Sequence, residues 1–204
     1  MKHSFFVIED HSLTNLGIRE LLQNNTDLSC EGFAMSEEEA FEKLTELDMK
    51  GSLPKVLVLD LFLGEDSGID VLREVKKHFP SIGVVVYSMY SNPGIVSLVL
   101  ENGGNGFVSK SSPESELVDA IKEVSAGGSH IQSSLVEPLH TFKNLFQSLT
   151  KGEQFVLNKV IERFELNRIA EEMKVPVARV EIFLSRICAK TGCHNHEELI
   201  AQFG

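Results

Sequence analysis

The sequence predicts an α/β protein, a doubly wound five-stranded parallel sheet followed by a small all-α domain. Three observations lead there. Over the first ~130 residues short apolar runs alternate with helical patterns, the spacing expected of βαβ units. Four of those runs, FFVI, VLVL, IGVVVY and GFVS, have the length and composition of strands buried on both faces. From Leu149 to Phe203, by contrast, the period is helical throughout, with no strand signal.

The first run, ending at Ile8, leads into an amphipathic stretch from about Ser12 to Gln23 that is expected to turn Leu13, Leu16, Ile18, Leu21 and Leu22 inward. A weaker strand follows around Leu28–Phe33. Ser36 then opens a helix as N-cap, with Glu39 expected to complete a capping box. Gly51-Ser52-Leu53-Pro54 breaks that helix before the VLVL strand. The next helix runs from about Gly68 to His78 and stops at Pro80. Pro93 starts a helix to about Asn102, and Gly103-Gly104-Asn105-Gly106 turns it into the fifth strand. Ser112 and Pro113 are expected as N-cap and first position of a helix ending near Ala126. These signals set a first domain at 1–126, a linker at 127–148 with at most one short helix, and a second domain at 149–204. Helices are expected there at about 150–162, 166–173, 177–189 and 196–203.

Composition separates the same two parts. The formal net charge is -11. From Leu145 onward eight Lys/Arg balance eight Asp/Glu, so residues 1–144 carry all of it. No apolar run approaches the ~20 residues of a membrane helix, and Phe5–Ile8 after Lys2 is too short for a signal peptide; the expectation is a cytoplasmic protein with no membrane partner. Cys30, Cys188 and Cys193 are scattered, which suits reduced thiols, and with His194 and His196 they match no standard zinc spacing.

Parallel strands place all their C-terminal ends at one edge, where such sheets bind ligands. Glu9 and Asp10, Asp60, Ser88 and Lys110 follow four of the strands, so three carboxylates, a hydroxyl and an ammonium converge. Three ionised carboxylates repel one another unless a cation joins them, and an oxygen-only cluster suits Mg²⁺. Lys110 offers a point charge and Ser88 a donor to phosphoryl oxygens, while Asp60 is placed as a nucleophile that accepts a phosphoryl group.

With VIEDH, VLVLDLFLGEDSGIDVL, VVVYSMY and GFVSK in this order, residues 1 to about 126 resemble a response-regulator receiver domain, a flavodoxin-like fold. The resemblance implies phosphorylation of Asp60 by a sensor histidine kinase. It implies Mg²⁺ held by Glu9, Asp10, Asp60 and the Phe62 backbone carbonyl, Ser88 as switch hydroxyl and Phe107 as switch aromatic. Gly64 departs from the proline usual in the family and is expected to loosen the loop.

In the second domain, Ile169, Ala170 and Met173 face inward, Lys174-Val175-Pro176 turns, and the next helix buries Val177, Val180, Phe183, Leu184, Ile187 and Cys188 on one stripe. Its other face carries Ala178, Arg179, Ile182, Ser185, Arg186 and Ala189, flanked by Glu181 and Lys190, a helix-turn-helix layout with the second helix free for a major groove. Arg179, Ile182, Ser185, Arg186 and Lys190 are the candidate DNA contacts. Taken alone, the same helices fit a protein-binding bundle equally well, because the basic excess of a DNA binder is missing. LTKGE, IAEEM, VPVARVEIFLSRI and KTGCHN, in order, resemble the LuxR-type output domain of the NarL/FixJ family. That resemblance implies a transcription regulator, not an enzyme, that binds DNA as a homodimer. Pro176, Arg179, Glu181, Phe183 and Arg163 depart from its pattern, and Glu181 sets a negative charge near the groove. The competing reading is a receiver whose divergent helical tail binds protein; a phosphohydrolase is disfavoured because Phe62, not Asp, lies two residues beyond Asp60.

Overall fold

In the computed structural model, which describes residues 3–64 and 66–204, the chain forms two compact units, Met1–Met89 with Val99–Gln132 and Tyr90–Leu98 with Ser133–Gly204. Lys2 and Glu65, on which parts of the sequence reading fall, lie outside the described residues.

The first unit is built on β1 (Ser4–Ile8), β2 (Ser29–Ala34), β3 (Val56–Leu59), β6 (Gly83–Ser88), β7 (Gly106–Ser109) and β8 (His130–Ile131), in the order β2-β1-β3-β6-β7-β8. Every pair in this sheet is parallel. A hairpin of β4 (Phe62–Leu63) and β5 (Asp66–Ser67) stands apart. The sheet has six strands where five were expected, because two-residue β8, following two glycines, is too short to show a period. Its helices are α1 (Ser12–Asn25), α2 (Glu37–Met49), α3 (Gly68–His78) and α5 (Glu114–Ser125); of α4 (Pro93–Glu101), residues 93–98 belong to the second unit and 99–101 to the first. Period two in the strands splits the core. Phe5, Val7, Val56, Val58, Val85 and Val108 pack with Ile18 and Leu22 of α1 and Leu117, Ile121 and Val124 of α5. Their alternates Phe6, Ile8, Leu57, Leu59, Val84, Val86 and Phe107 leave the opposite face and are equally buried.

Three local expectations are corrected. Leu13 and Leu16 of α1 are 85% and 47% exposed, because the inward stripe at helical spacing is Asn15, Ile18 and Leu22, which puts Leu13 on the far side. Ser36 caps α2 through Glu39 N–H, but the Glu39 carboxylate reaches back to Met35 N–H at 2.7 Å and not to Ser36. Ser112 does not cap α5; Pro113 holds that position, and the Ser112 hydroxyl donates to Gln132 Oε1 at 2.7 Å.

The second unit contains α6 (Ser133–Ser148), α7 (Lys151–Ile161), α8 (Leu166–Met173), α9 (Val177–Thr191) and α10 (His196–Phe203). The stretch 127–148 therefore holds β8 and a helix of 16 residues. Thr150 and Glu153 form a capping box at α7. Ile169 and Ala170 of α8 and Val180, Leu184 and Ile187 of α9 are buried against the Val156, Leu157, Val160 and Ile161 stripe of α7. Lys174 ends α8 at φ 55°, the left-handed turn that redirects the chain into α9. No helix among the described residues is long and apolar enough to cross a membrane.

Candidate phosphoacceptor site

The chain leaves β1 toward β2 on one side and adds β3, β6, β7 and β8 on the other, so strand order reverses between β1 and β3. The crevice at such a reversal, beyond the strand C-termini, is where doubly wound sheets bind. Register does the rest. Ile8 pairs with Leu59, so the next residues, Glu9 and Asp60, emerge side by side. Ser88 pairs with Ser109, which places Lys110 next to the end of β6.

Lys110 Nζ donates to Glu9 Oε2 at 2.6 Å and to Asp60 Oδ2 at 2.7 Å. The three side chains are 12%, 2% and 6% exposed. Burial alone pushes the Lys110 ammonium down, but its hydrogen bonds to Asp60 and Glu9 and their charges outweigh this and hold it above the ordinary lysine value. Asp60 Oδ1 accepts from Leu61 N–H at 2.7 Å, so the carboxylate is held at both oxygens. Ser88 is fully buried at the end of β6, and its carbonyl accepts from Lys110 N–H at 2.8 Å. Asp10 lies partly exposed at the rim. Phe107 is fully buried within β7, between β6 and β8. Phe62 stands two residues beyond Asp60 on β4. Gly64, at φ 64°, follows β4 in a conformation closed to proline, whose ring locks φ near −65°; that accounts for the departure noted in the sequence. Gly68 opens α3 where a Cβ would fall 2.4 Å from Leu61 Cα and 2.5 Å from Asp60 O, so glycine lets this helix seat directly on the Asp60–Leu61 backbone.

Formal charges sum to two negative over Glu9, Asp10, Asp60 and Lys110, which matches one divalent cation, and the carboxylate oxygens suit Mg²⁺, with the His11 nitrogen beside those of Glu9 and Asp10. Three groups of the site were missed in the sequence. His11 Nδ1 lies 2.7 Å from Asp10 Oδ1 and 3.2 Å from Glu9 Oε1, and those contacts, Asp10 first, raise its pKa. Asn15, buried on α1, donates to the Glu9 carbonyl at 3.1 Å and accepts from Arg19 Nε at 2.9 Å, which holds β1's end to the helix. Gln132 Oε1 accepts from Ser109 N–H and the Ser112 hydroxyl, tying down the loop that bears Lys110. Asn15 shares helical spacing with Ile18 and Leu22, a signal hidden by the apolar Leu13 and Leu16; Gln132 carried none.

The family model described as the response regulator receiver domain matches residues 5–122. The chain belongs to that family. It is 25% identical over 187 residues to the response regulator protein VraR of Staphylococcus saprophyticus, covering 90% of this chain and 87% of that protein. It is 26% identical over 207 residues to the oxygen regulatory protein NreC of Staphylococcus aureus, covering 95% and 93%. Among solved structures it resembles RcsB of Salmonella enterica serovar Typhimurium bound to a promoter in the presence of the phosphomimetic BeF₃⁻, with TM-score 0.72 and 24% identity over 99% of this chain and 98% of that one.

In the second unit of this response regulator, Arg179, Ile182, Ser185 and Arg186 all lie on the exposed face of α9, together with Glu181. The Arg179 guanidinium lies 5.1 Å from the Phe183 ring centroid, which stiffens its stem. Lys190 is placed differently from the others: its ammonium meets Glu153 Oε2 of α7 at 2.7 Å, and that bond, with the capping contacts at Thr150, lowers the Glu153 pKa.

Proposed function

We propose that this response regulator accepts a phosphoryl group on Asp60 from a sensor histidine kinase and switches a DNA-binding helical unit to regulate transcription. The observation that carries the reading is the Lys110 ammonium spanning Glu9 and Asp60 beside a buried Ser88. An Asp60 oxygen attacks phosphorus, the P–N bond of the phosphohistidine breaks with its electron pair going to the ring nitrogen, and the imidazole leaves neutral, its N–H proton coming from the protonated phosphohistidine ring or from solvent. Asp60 Oδ2, held by Lys110, and Oδ1, held by Leu61 N–H, are oriented for this attack. Glu9, Asp10, Asp60 and the Phe62 carbonyl would hold Mg²⁺, which when bound neutralises charge on the transferring group. The new phosphoryl group adds a charge of about −1.5 to −2. Lys110 then turns from the carboxylate to a phosphoryl oxygen, the Ser88 hydroxyl donates to another, and Phe107 repacks behind it. Asp60 is consumed and regenerated once per signal, which is regulation, not enzymatic turnover of a substrate.

For the helical unit, the support is the exposed α9 face with Arg179, Ile182, Ser185 and Arg186 and the likeness to promoter-bound RcsB. On DNA the chain would act as a homodimer in the cytoplasm, the two arginines reaching phosphates or guanine edges. A protein partner is the second reading, favoured by the exposed Glu181 and the neutral charge of residues 145–204. Gel shift with random-sequence DNA, with and without beryllofluoride, separates them. A band retarded more strongly with beryllofluoride supports DNA; no retarded band in either condition supports the protein partner.

A further inference from the structure

The strand that closes the first unit is held by a histidine. His130 Nε2 lies 2.9 Å from Glu116 Oε1 and Nδ1 lies 3.1 Å from Glu123 Oε2, and the side chain is only 13% exposed. A neutral imidazole has one N–H and one lone pair, so one of the carboxylates would face a lone pair; only the imidazolium satisfies both. Glu116 and Glu123 stand seven residues apart, two turns of α5, so the ring clasps one flank of that helix. The other charged groups in the middle and last turns of α5, Asp119 and Lys122, are exposed, and β7 on the opposite side has no ionisable residue.

The rest of β8 is weakly attached. Only two residue pairs join it to β7, Gly106 with His130 and Phe107 with Ile131. His130 N–H donates to Asn105 O at 3.0 Å, and Gln132 N–H donates to Phe107 O at a long 3.4 Å. Gln132 in turn accepts from Ser109 N–H and Ser112 Oγ, the residues on either side of the Lys110 segment. A two-residue edge strand has little pairing energy of its own, so side-chain contacts decide whether it stays.

We propose that the His130 imidazolium between Glu116 and Glu123 is a proton-dependent fastener, so that β8 peels from β7 when the ring loses its proton and frees the Lys110 loop from Gln132. Burial pushes the ring's pKa down, but the hydrogen bonds to Glu116 and Glu123 and their charges win and hold it above the ordinary histidine value. A histidine whose folded pKa is raised stabilises fully below its unfolded value, near 6.5, and that stabilisation is lost as pH rises through the folded value. The transition therefore lies on the alkaline side of free histidine. This goes beyond phosphorylation control: it gives the same loop a second input, pH, that needs no kinase.

The test uses the full chain. Imidazole NMR across pH 6–9 is expected to show both His130 nitrogens protonated at the acidic end and a midpoint above free histidine. Hydrogen exchange, corrected for intrinsic base catalysis, should show protection of the His130 and Gln132 amides falling across that same midpoint, by up to about tenfold for each pH unit by which it exceeds 6.5. Glu116→Gln and Glu123→Gln should each lower the midpoint, and His130→Gln should remove the pH dependence and leave the amides at the weakly protected level. A His130 already neutral at pH 7, or protection that ignores the titration, overturns the proposal. So does a His130→Gln variant as protected as the parent at pH 6.

Discussion

Lys110→Met isolates the central contact of the site. Methionine keeps the stem's bulk and removes the ammonium that spans Glu9 Oε2 and Asp60 Oδ2. Both carboxylates stay buried and face each other, Glu9 keeping the His11 N–H and Asp60 keeping the Leu61 N–H. Removing one partner of a buried ion pair costs about 3–5 kcal/mol, and the retained N–H donors set the expectation at the lower end, about 3 kcal/mol. For a chain of this size that corresponds to a melting temperature lower by about 6–12 °C. The deficit should be selectively repaired by a divalent cation. The variant site carries three formal negative charges against two in the parent, so Mg²⁺ should bind it more tightly. At 100 times its dissociation constant the ion restores about 2.7 kcal/mol. The assay is thermal unfolding followed by circular dichroism at neutral pH, in chelator and in a Mg²⁺ series. A variant that melts with the parent in chelator, or one whose melting point rises no more with Mg²⁺ than the parent's does, refutes the charge balance argued for this site.

Asp60→Asn should take up no phosphoryl group from acetyl phosphate while keeping its fold, measured by Phos-tag gel and circular dichroism; a retarded band in the variant moves the acceptor elsewhere. Arg179→Ala and Arg186→Ala should each weaken DNA binding, and one that contacts phosphate should flatten the log affinity against log salt slope by about 1; unchanged affinity in both removes α9 from the groove. Lys174→Gly should stabilise the chain by about 0.5 kcal/mol, since relief of the left-handed strain at φ 55° exceeds the entropy cost of glycine; a lower denaturation midpoint contradicts it.

Much of the site was written in the chain. Each of Glu9, Asp60, Ser88 and Lys110 follows an apolar run, and parallel strands have no freedom to deliver their ends anywhere but one edge. The α9 stripe was equally readable, because Val180, Leu184 and Ile187 recur at helical spacing and the exposed residues fall between them. Leu13 and Leu16 misled because apolar composition does not state which stripe faces the sheet; Asn15 is buried there instead, since its amide has the Glu9 carbonyl and Arg19 to bond. Lys190 reads like its exposed neighbours, yet only folding brings Glu153 of α7 to it.

The sequence by itself determined the order of the five main strands and the helices between them, the convergence of carboxylates, hydroxyl and ammonium, and the two-part division of charge. All of these follow from periodicity and local chain direction. Only the tertiary structure decided which carboxylates share the Lys110 proton donors, that a sixth strand closes the sheet, and that His130 sits between two glutamates of α5. Those are contacts between residues 7 to 101 positions apart, set by side-chain packing and charge pairing that no local pattern encodes.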